Sequence, residues 1–241
     1  MHPEKLHAFV VSALDYGDSD RIVTLFTLEH GRIKAFARRA RNSRKRFGAA
    51  LEPFARIDAQ VRVKDGLSSI QQADIHSIYP LIRTDLAKIA HALYACELID
   101  VLTPEGHALP RLYRLFAVYL EHLETEPALE NDRRFFEINV LNILGYRPSL
   151  LNCSRCNEPF GEAGALLQKG GEYNCRYCAS SGRPLGFDTL KALTACLKTG
   201  KFGVVGFSGE ILSQAGFLLD EAVTAHAGRP LKSLDFLKLA E

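Results

Sequence analysis

The sequence predicts an α+β chain in three parts: a small N-terminal β-barrel, an α-helical domain, and a four-cysteine module inserted among the helices. Three observations carry this. Apolar residues alternate with period 2 through much of residues 1–80, and from Tyr79-Pro80 the period changes to 3.6. The helical pattern is then interrupted between about Pro148 and Pro184, where two C-x2-C pairs occur. The expected boundaries are 1–79 for the barrel, 80–147 with 185–241 for the helices, and 148–184 for the module. A chain of 241 residues is long enough to bury more than one core.

The candidate strands are Leu6–Leu14, Arg21–Leu28, Gly31–Arg38, Arg56–Lys64 and Leu67–His76. In the fourth, Ile57, Ala59, Val61 and Val63 alternate with Arg56, Asp58, Gln60, Arg62 and Lys64. The run Asp15 to Asp20 is rich in turn residues, and Asp65-Gly66 is a hairpin dipeptide. Five short strands with a longer link between the third and fourth suit a small closed barrel, either an OB-fold or an SH3-like barrel.

In the helical part, Ile82, Leu86, Ile89, Leu93 and Cys96 form one stripe, and Leu112, Leu115, Phe116, Tyr119, Leu120 and Leu123 form a second. After the acidic link Glu124–Asp132, the third helix spans Arg133 to Leu144, apolar almost all round and stopped by Gly145. Asp188 is placed to cap a helix over Thr189–Lys198, and Ser208–His226 and Leu231–Leu239 follow. These later helices are expected to pack on the first three.

The charge is unevenly placed. Net charge is only +2, yet residues 1–80 hold 13 Lys+Arg against 9 Asp+Glu, so the excess sits at the front. Arg32, Lys34, Arg38, Arg39, Arg41, Arg44, Lys45 and Arg46 fall within a stretch, Gly31 to Leu51, that has no acidic residue. If the third strand alternates, Arg32, Lys34, Phe36 and Arg38 share one face and Ile33, Ala35 and Ala37 the other. Phosphates need cations and unstacked bases need flat apolar surfaces, so this face suits single-stranded nucleic acid. Against it stands a reading in which Phe36 belongs to a core and the arginines to a solvated loop.

Cys153, Cys156, Cys175 and Cys178 have the spacing of two knuckles that converge on one ion. Four thiolates leave no open coordination position, so the expected ion is one structural zinc; an iron–sulfur centre or a degenerate site are the alternatives. Gly161, Gly164, Gly170 and Gly171 leave the segment little core of its own, so metal would supply folding energy. Its Arg155, Lys169 and Arg176 either touch nucleic acid or are solvated surface. Cys96 and Cys196 lie in helices and are expected to pack in cores.

No G-x-x-x-x-G-K-[ST], H-E-x-x-H or G-x-S-x-G motif occurs, so no catalytic residue is assigned and binding is the economical account. Two rivals remain. Asp15, Asp18 and Asp20 could hold a divalent ion in a zinc-ribbon nuclease, and basic barrels with zinc ribbons also occur in RNA-binding translation factors. Met1 to Lys5 do not begin a signal peptide, and no apolar run approaches the roughly 20 residues that span a bilayer. The expected location is cytoplasmic, at the nucleoid, with no membrane contact.

Four stretches are similar to the bacterial RecO family of DNA repair and recombination mediators. They are Asp20-Arg21-Ile22-Val23-Thr24-Leu25-Phe26-Thr27 with Glu29-His30-Gly31; the basic run continuing through Arg46-Phe47-Gly48-Ala49-Ala50-Leu51-Glu52-Pro53-Phe54; Arg134-Phe135-Phe136-Glu137 leading to Leu144-Gly145-Tyr146; and Gly228-Arg229-Pro230-Leu231-Lys232-Ser233. The resemblance implies an N-terminal OB-fold, a helical domain and a zinc module. It also implies binding of single- and double-stranded DNA, annealing of complementary strands and, with the partner RecR, help in loading RecA onto DNA coated by single-strand binding protein. Carried onto this sequence, it makes Lys34, Arg38, Arg39, Arg41 and Arg44 the DNA-binding residues. It makes Arg134 a candidate for the C-terminal tail of single-strand binding protein, because an arginine fork suits a terminal carboxylate; a salt bridge on a helix surface accounts for it equally well.

Overall fold

A computed structural model describes residues 2–43, 45–168 and 171–240. The chain divides into two compact units, residues 1–128 with 231–241 and residues 129–230.

The first unit begins with β1 (Glu4–Tyr16), β2 (Asp20–Thr27), β3 (Gly31–Ala37), β4 (Arg56–Arg62) and β5 (Leu67–Ser77), closed in the order β1-β2-β3-β5-β4. An SH3-like meander would place β4 beside β3; here β3 runs parallel to β5 through Lys34–Leu67 and Phe36–Ser69, and the barrel is OB-like. Small side chains fill its narrow interior. Ala8, Ala35, Ala37, Ala59 and Ala73 pack there with Leu6, Val23, Leu25, Ile33, Ile57 and Val61.

Two departures from simple alternation shape the outside of this barrel. In β1 the register shifts between Val10 and Ser12, so Val11 has no partner of its own. Leu6, Ala8 and Val10 therefore point inward, but beyond the bulge Ala13 takes the inner side. Leu14 and Tyr16 become exposed. The β3–β4 link is the second departure. Ala40, Phe47, Ala50 and Leu51 are buried in the barrel core, so the link closes one end of the barrel and is no free loop.

Helices α1 (Leu86–Leu102) and α2 (Pro110–Thr125) follow. The first starts at Asp85, whose carboxylate accepts the Lys88 N–H, and Ile82 lies before it on a short 3-10 turn. From α2, Tyr113 and Phe116 cover Phe9 and Phe26 on the outer barrel wall, with ring centroids 4.9–6.4 Å apart. The terminal helix α6 (Ser233–Ala240) belongs to this unit, and Glu97 accepts the N–H groups of Lys232 and Ser233 at its start. Gly31 has φ +64, and a Cβ there would collide with the His107 carbonyl, so only glycine fits where the 103–108 loop crosses β3.

The second unit holds α3 (Glu130–Leu144), a three-stranded sheet β7-β6-β8, α4 (Phe187–Thr199) and α5 (Gly209–Ala227), with β6 at Ala165–Leu167, β7 at Tyr173–Asn174 and β8 at Arg183–Leu185. Gly145 ends α3 with φ 81, as its position after the apolar run predicts. Asp188 is not a cap: α4 starts at Phe187, two residues before the expected Thr189, with Gly186 at its N-cap, and Asp188 pairs with Lys191 at 3.0 Å. Helices α1, α2 and α6 lie in the first unit with the barrel, and α3–α5 in the second with the cysteines. Among the described residues no helix is long and apolar enough to cross a membrane.

Candidate functional site

On β3 the burial alternates as the sequence pattern requires: Ile33, Ala35 and Ala37 are buried, Lys34 is exposed, and Arg32 and Phe36 are half-buried. The register carries the outer face across three strands. Leu14 lies opposite Ile22, and Ile22 opposite Phe36; Ser12 lies opposite Thr24, and Thr24 opposite Lys34. The Tyr16 ring meets the Phe36 ring edge-on, with centroids 6.0 Å apart. The result is an aromatic and aliphatic strip beside cations, exposed at Leu14 and Tyr16 and half-buried at Ile22 and Phe36. Tyr16 falls in the run expected to be a turn, yet β1 continues through it, and uninterrupted alternation from Leu6 would turn it and Leu14 inward. Only the bulge brings them out.

The basic residues divide into two classes. Arg32 donates through Nε to the Thr103 carbonyl at 3.0 Å and lies 3.5 Å from Asp100. Arg46 donates to the Ser43 hydroxyl at 2.9 Å and the Arg38 carbonyl at 2.7 Å, and sits over the Phe47 ring. These two hold the fold. Arg41 reaches the Asp18 carbonyl at 3.4 Å and lies 3.8 Å from Asp15. By contrast Lys34, Arg38, Arg39 and Lys45 are exposed, and no ion pair engages them among the described residues. Arg39 adopts φ 53, held there by its N–H on the Asp20 carboxylate at 2.7 Å. Arg44 and Lys169 lie outside the described residues.

Of the three aspartates considered for a divalent ion, Asp15 and Asp20 are used otherwise. Asp15 pairs with Arg21 at 2.8 Å, and Asp20 accepts the Arg39 N–H and the Ser19 hydroxyl. Among the described residues the only grouping of three or more metal-capable side chains is Cys153, Cys156, Cys175 and Cys178.

Those four sulfurs lie within 4.8 Å of one another, with Cys156 and Cys175 3.8 Å apart. A tetrahedral ion with sulfur at about 2.3 Å has edges of about 3.8 Å, so the donor set fits one such ion. Each knuckle is a hydrogen-bonded turn: Asn157 N–H donates to the Cys153 carbonyl at 3.0 Å, and Cys178 N–H to that of Cys175, also at 3.0 Å. Burial opposes ionisation of Cys153, but backbone N–H groups of Cys156, Cys175 and Arg155 outweigh it and bring the thiol down to about 6. Cys178 is pushed up to about 12, first by its hydrogen bond with Cys156, then by burial and by Cys175 and Cys153. One thiolate forms easily and further ones resist, which a bound cation resolves.

Arg134 is not on a surface. It is 4% exposed, and its guanidinium donates to Glu130 at 2.9 Å, Glu137 at 2.9 Å and Asp220 at 2.7 Å. Arg133, Asp132 and Glu137 are buried with it, so α3 is enclosed nearly all round by charge pairing as well as by apolar packing. With Nε also donating to Glu130 at 3.2 Å, four of its five N–H groups are engaged by carboxylates of its own chain, which is the salt-bridge account of this residue. Cys96 and Cys196 are buried, and burial pushes each thiol up to about 12.

Comparison with known proteins gives one family. The model described as Recombination protein O N terminal matches residues 1–79, and Recombination protein O C terminal matches residues 83–235. The chain is 65% identical over 239 residues to the DNA repair protein RecO of Pelobacter propionicus, with 99% of this chain and 97% of that one covered. It is 51% identical over 239 residues to the DNA repair protein RecO of Geobacter sulfurreducens, covering 99% and 98%. Against the DNA repair protein RecO of Myxococcus xanthus it is 35% identical over 231 residues, covering 95% of each.

Proposed function

The chain belongs to the RecO family of DNA repair proteins, and from that premise we propose that it is a non-catalytic recombination mediator whose barrel binds DNA. The observation that carries this reading is the open barrel face. Lys34, Arg38, Arg39 and Lys45, without ion pairs among the described residues, border the outward pair Tyr16 and Phe36. Arg41 adds a shared charge, and Arg44 belongs to the same run.

Annealing needs no nucleophile. Cations on the barrel lower the repulsion between two strands and raise their local concentration, and base pairing then supplies the driving energy. Exposed rings favour unpaired bases, while the cations accept single or double strands alike. In the cell the same face would serve with RecR to load RecA onto DNA coated by single-strand binding protein. The cytoplasm is where such a substrate occurs. Cys153, Cys156, Cys175 and Cys178 would hold one zinc ion, which supplies folding energy to the module and no reaction step.

The test is annealing of two complementary labelled strands, naked and coated with the cognate single-strand binding protein, with magnesium present. Acceleration on both without cleavage supports the mediator. Cleavage, or a preference for structured RNA over single-stranded DNA, would overturn it.

A further inference from the structure

The cysteine module presents a surface that the barrel reading does not use. Tyr177 sits between the ligand-spaced Cys175 and Cys178 and is 100% exposed. Its turn is fixed, since the Cys175 carbonyl accepts from Cys178 N–H at 3.0 Å and Ala179 N–H at 3.1 Å. The ring is therefore held out in water by a rigid support.

Its surroundings are cationic. Arg176, the preceding residue, is exposed and makes no ion pair among the described residues. Arg155 comes from the other knuckle and donates through Nη1 to the Cys178 carbonyl at 3.1 Å, which brings its guanidinium to the same turn. A polar groove runs beside it, lined by Ser154, Gln168, Asn174, Ser180 and Ser181, with Glu172 as its carboxylate.

A flat exposed ring, two guanidinium groups and a groove of hydroxyls and amides match an unstacked base, its flanking phosphates and sugars. A duplex keeps its base faces covered, so the ring selects single strands. We propose that Tyr177, with Arg176 and Arg155, forms a second single-strand contact on the cysteine module, separate from the barrel face. The proposal rests on the DNA-binding reading above. Because the barrel and the module belong to different compact units, the two contacts can be altered independently. Two contacts on one chain allow two strands to be held at once.

The sequence contains no Trp, so Tyr177→Trp introduces a single indole at a fully exposed position. The metal-loaded variant is titrated with an unlabelled single-stranded oligonucleotide while indole fluorescence is read. Anisotropy of a labelled oligonucleotide, measured in parallel, reports total binding. The expected result is saturable quenching by single strands that follows the anisotropy, and none by blunt duplex. Tyr177→Ala is expected to weaken single-strand affinity about fivefold or more, with Tyr177→Phe retaining it. Arg176→Gln is expected to reduce the salt slope by about 0.7. Normal anisotropy with an unresponsive indole and an unchanged Tyr177→Ala affinity would overturn the second contact and leave the barrel reading standing. Absence of binding by anisotropy in the unaltered protein would remove both.

Discussion

Arg38→Ala combined with Arg39→Ala tests the barrel face most directly, because the structure says how many cations remain to be lost. Eight basic residues lie between Gly31 and Leu51. Arg32 and Arg46 are committed to backbone carbonyls, and Arg41 is shared with Asp15. Lys34, Arg38, Arg39 and Lys45 remain among the described residues. On single strands each neutralised phosphate contributes about −0.7 to the slope of log K against log salt, so these four barrel contacts contribute about −3. Raising salt from about 50 to 200 mM then weakens their share of binding roughly 50-fold, whereas in the double variant that share, at a slope of about −1.4, weakens only about sevenfold. Neither side chain makes a hydrogen bond within the described residues, and the Arg39 N–H on Asp20 is kept. Stability should change by no more than about 0.5 kcal/mol. Anisotropy against salt and denaturant unfolding provide the two readouts. An unchanged slope would remove these arginines from the interface, and a large stability loss would place them in the fold.

Three further outcomes follow from the second unit. Arg134→Met leaves the fully buried Glu137 short of a partner and should cost about 3–5 kcal/mol in denaturant unfolding; a loss under about 1 kcal/mol would contradict the buried network. Purified protein should carry one zinc ion per chain by mass spectrometry, and its removal by a chelator should lower the melting temperature; metal-free protein of equal stability would contradict a structural site. In the metal-free protein Cys153 titrates below its unfolded value of 9.0, so its stabilisation is complete above that pH and is lost as pH falls through about 6. Unfolding measured from pH 5 to 9 checks the sign. Cys96 and Cys196 should resist alkylation throughout this range, since burial pushes both to about 12.

The sequence made legible what depends on local period and spacing. The alternation of β3, the glycine stop of α3 and the convergence of the four cysteines each follow from positions a few residues apart. What it hid depends on partners distant in sequence. Arg32 resembles Lys34 until Thr103 is seen beside it, some 70 residues later in the chain. Arg134 reads as a surface arginine until Asp220 from α5 closes over it; a Cβ on Gly216 would stand only 2.7 Å from its guanidinium. The aspartates of the β1–β2 turn likewise have the composition of an ion site but the geometry of turn and salt-bridge residues.

The bulge at Val11 explains why one barrel wall is left open while the other is covered. A small barrel has outward side chains all round, and the wall carrying Phe9 and Phe26 is covered by Tyr113 and Phe116 of α2. Without the extra residue, β1 would continue its Leu6-Ala8-Val10 phase and turn Ser12, Leu14 and Tyr16 into an interior already filled by alanines. With it, Leu14 at 66% and Tyr16 at 56% exposure stand on the uncovered wall beside Phe36 and the unpaired cations. Exposed apolar groups there contribute little to folding, so Tyr16→Ser should leave the unfolding free energy within about 0.5 kcal/mol. If Tyr16 supports base stacking, the same change should weaken single-strand binding by about 1 kcal/mol, or fivefold, and leave the salt slope intact, because no phosphate contact is removed. Equal losses on single and double strands would assign Tyr16 a role in shaping the cationic loop instead.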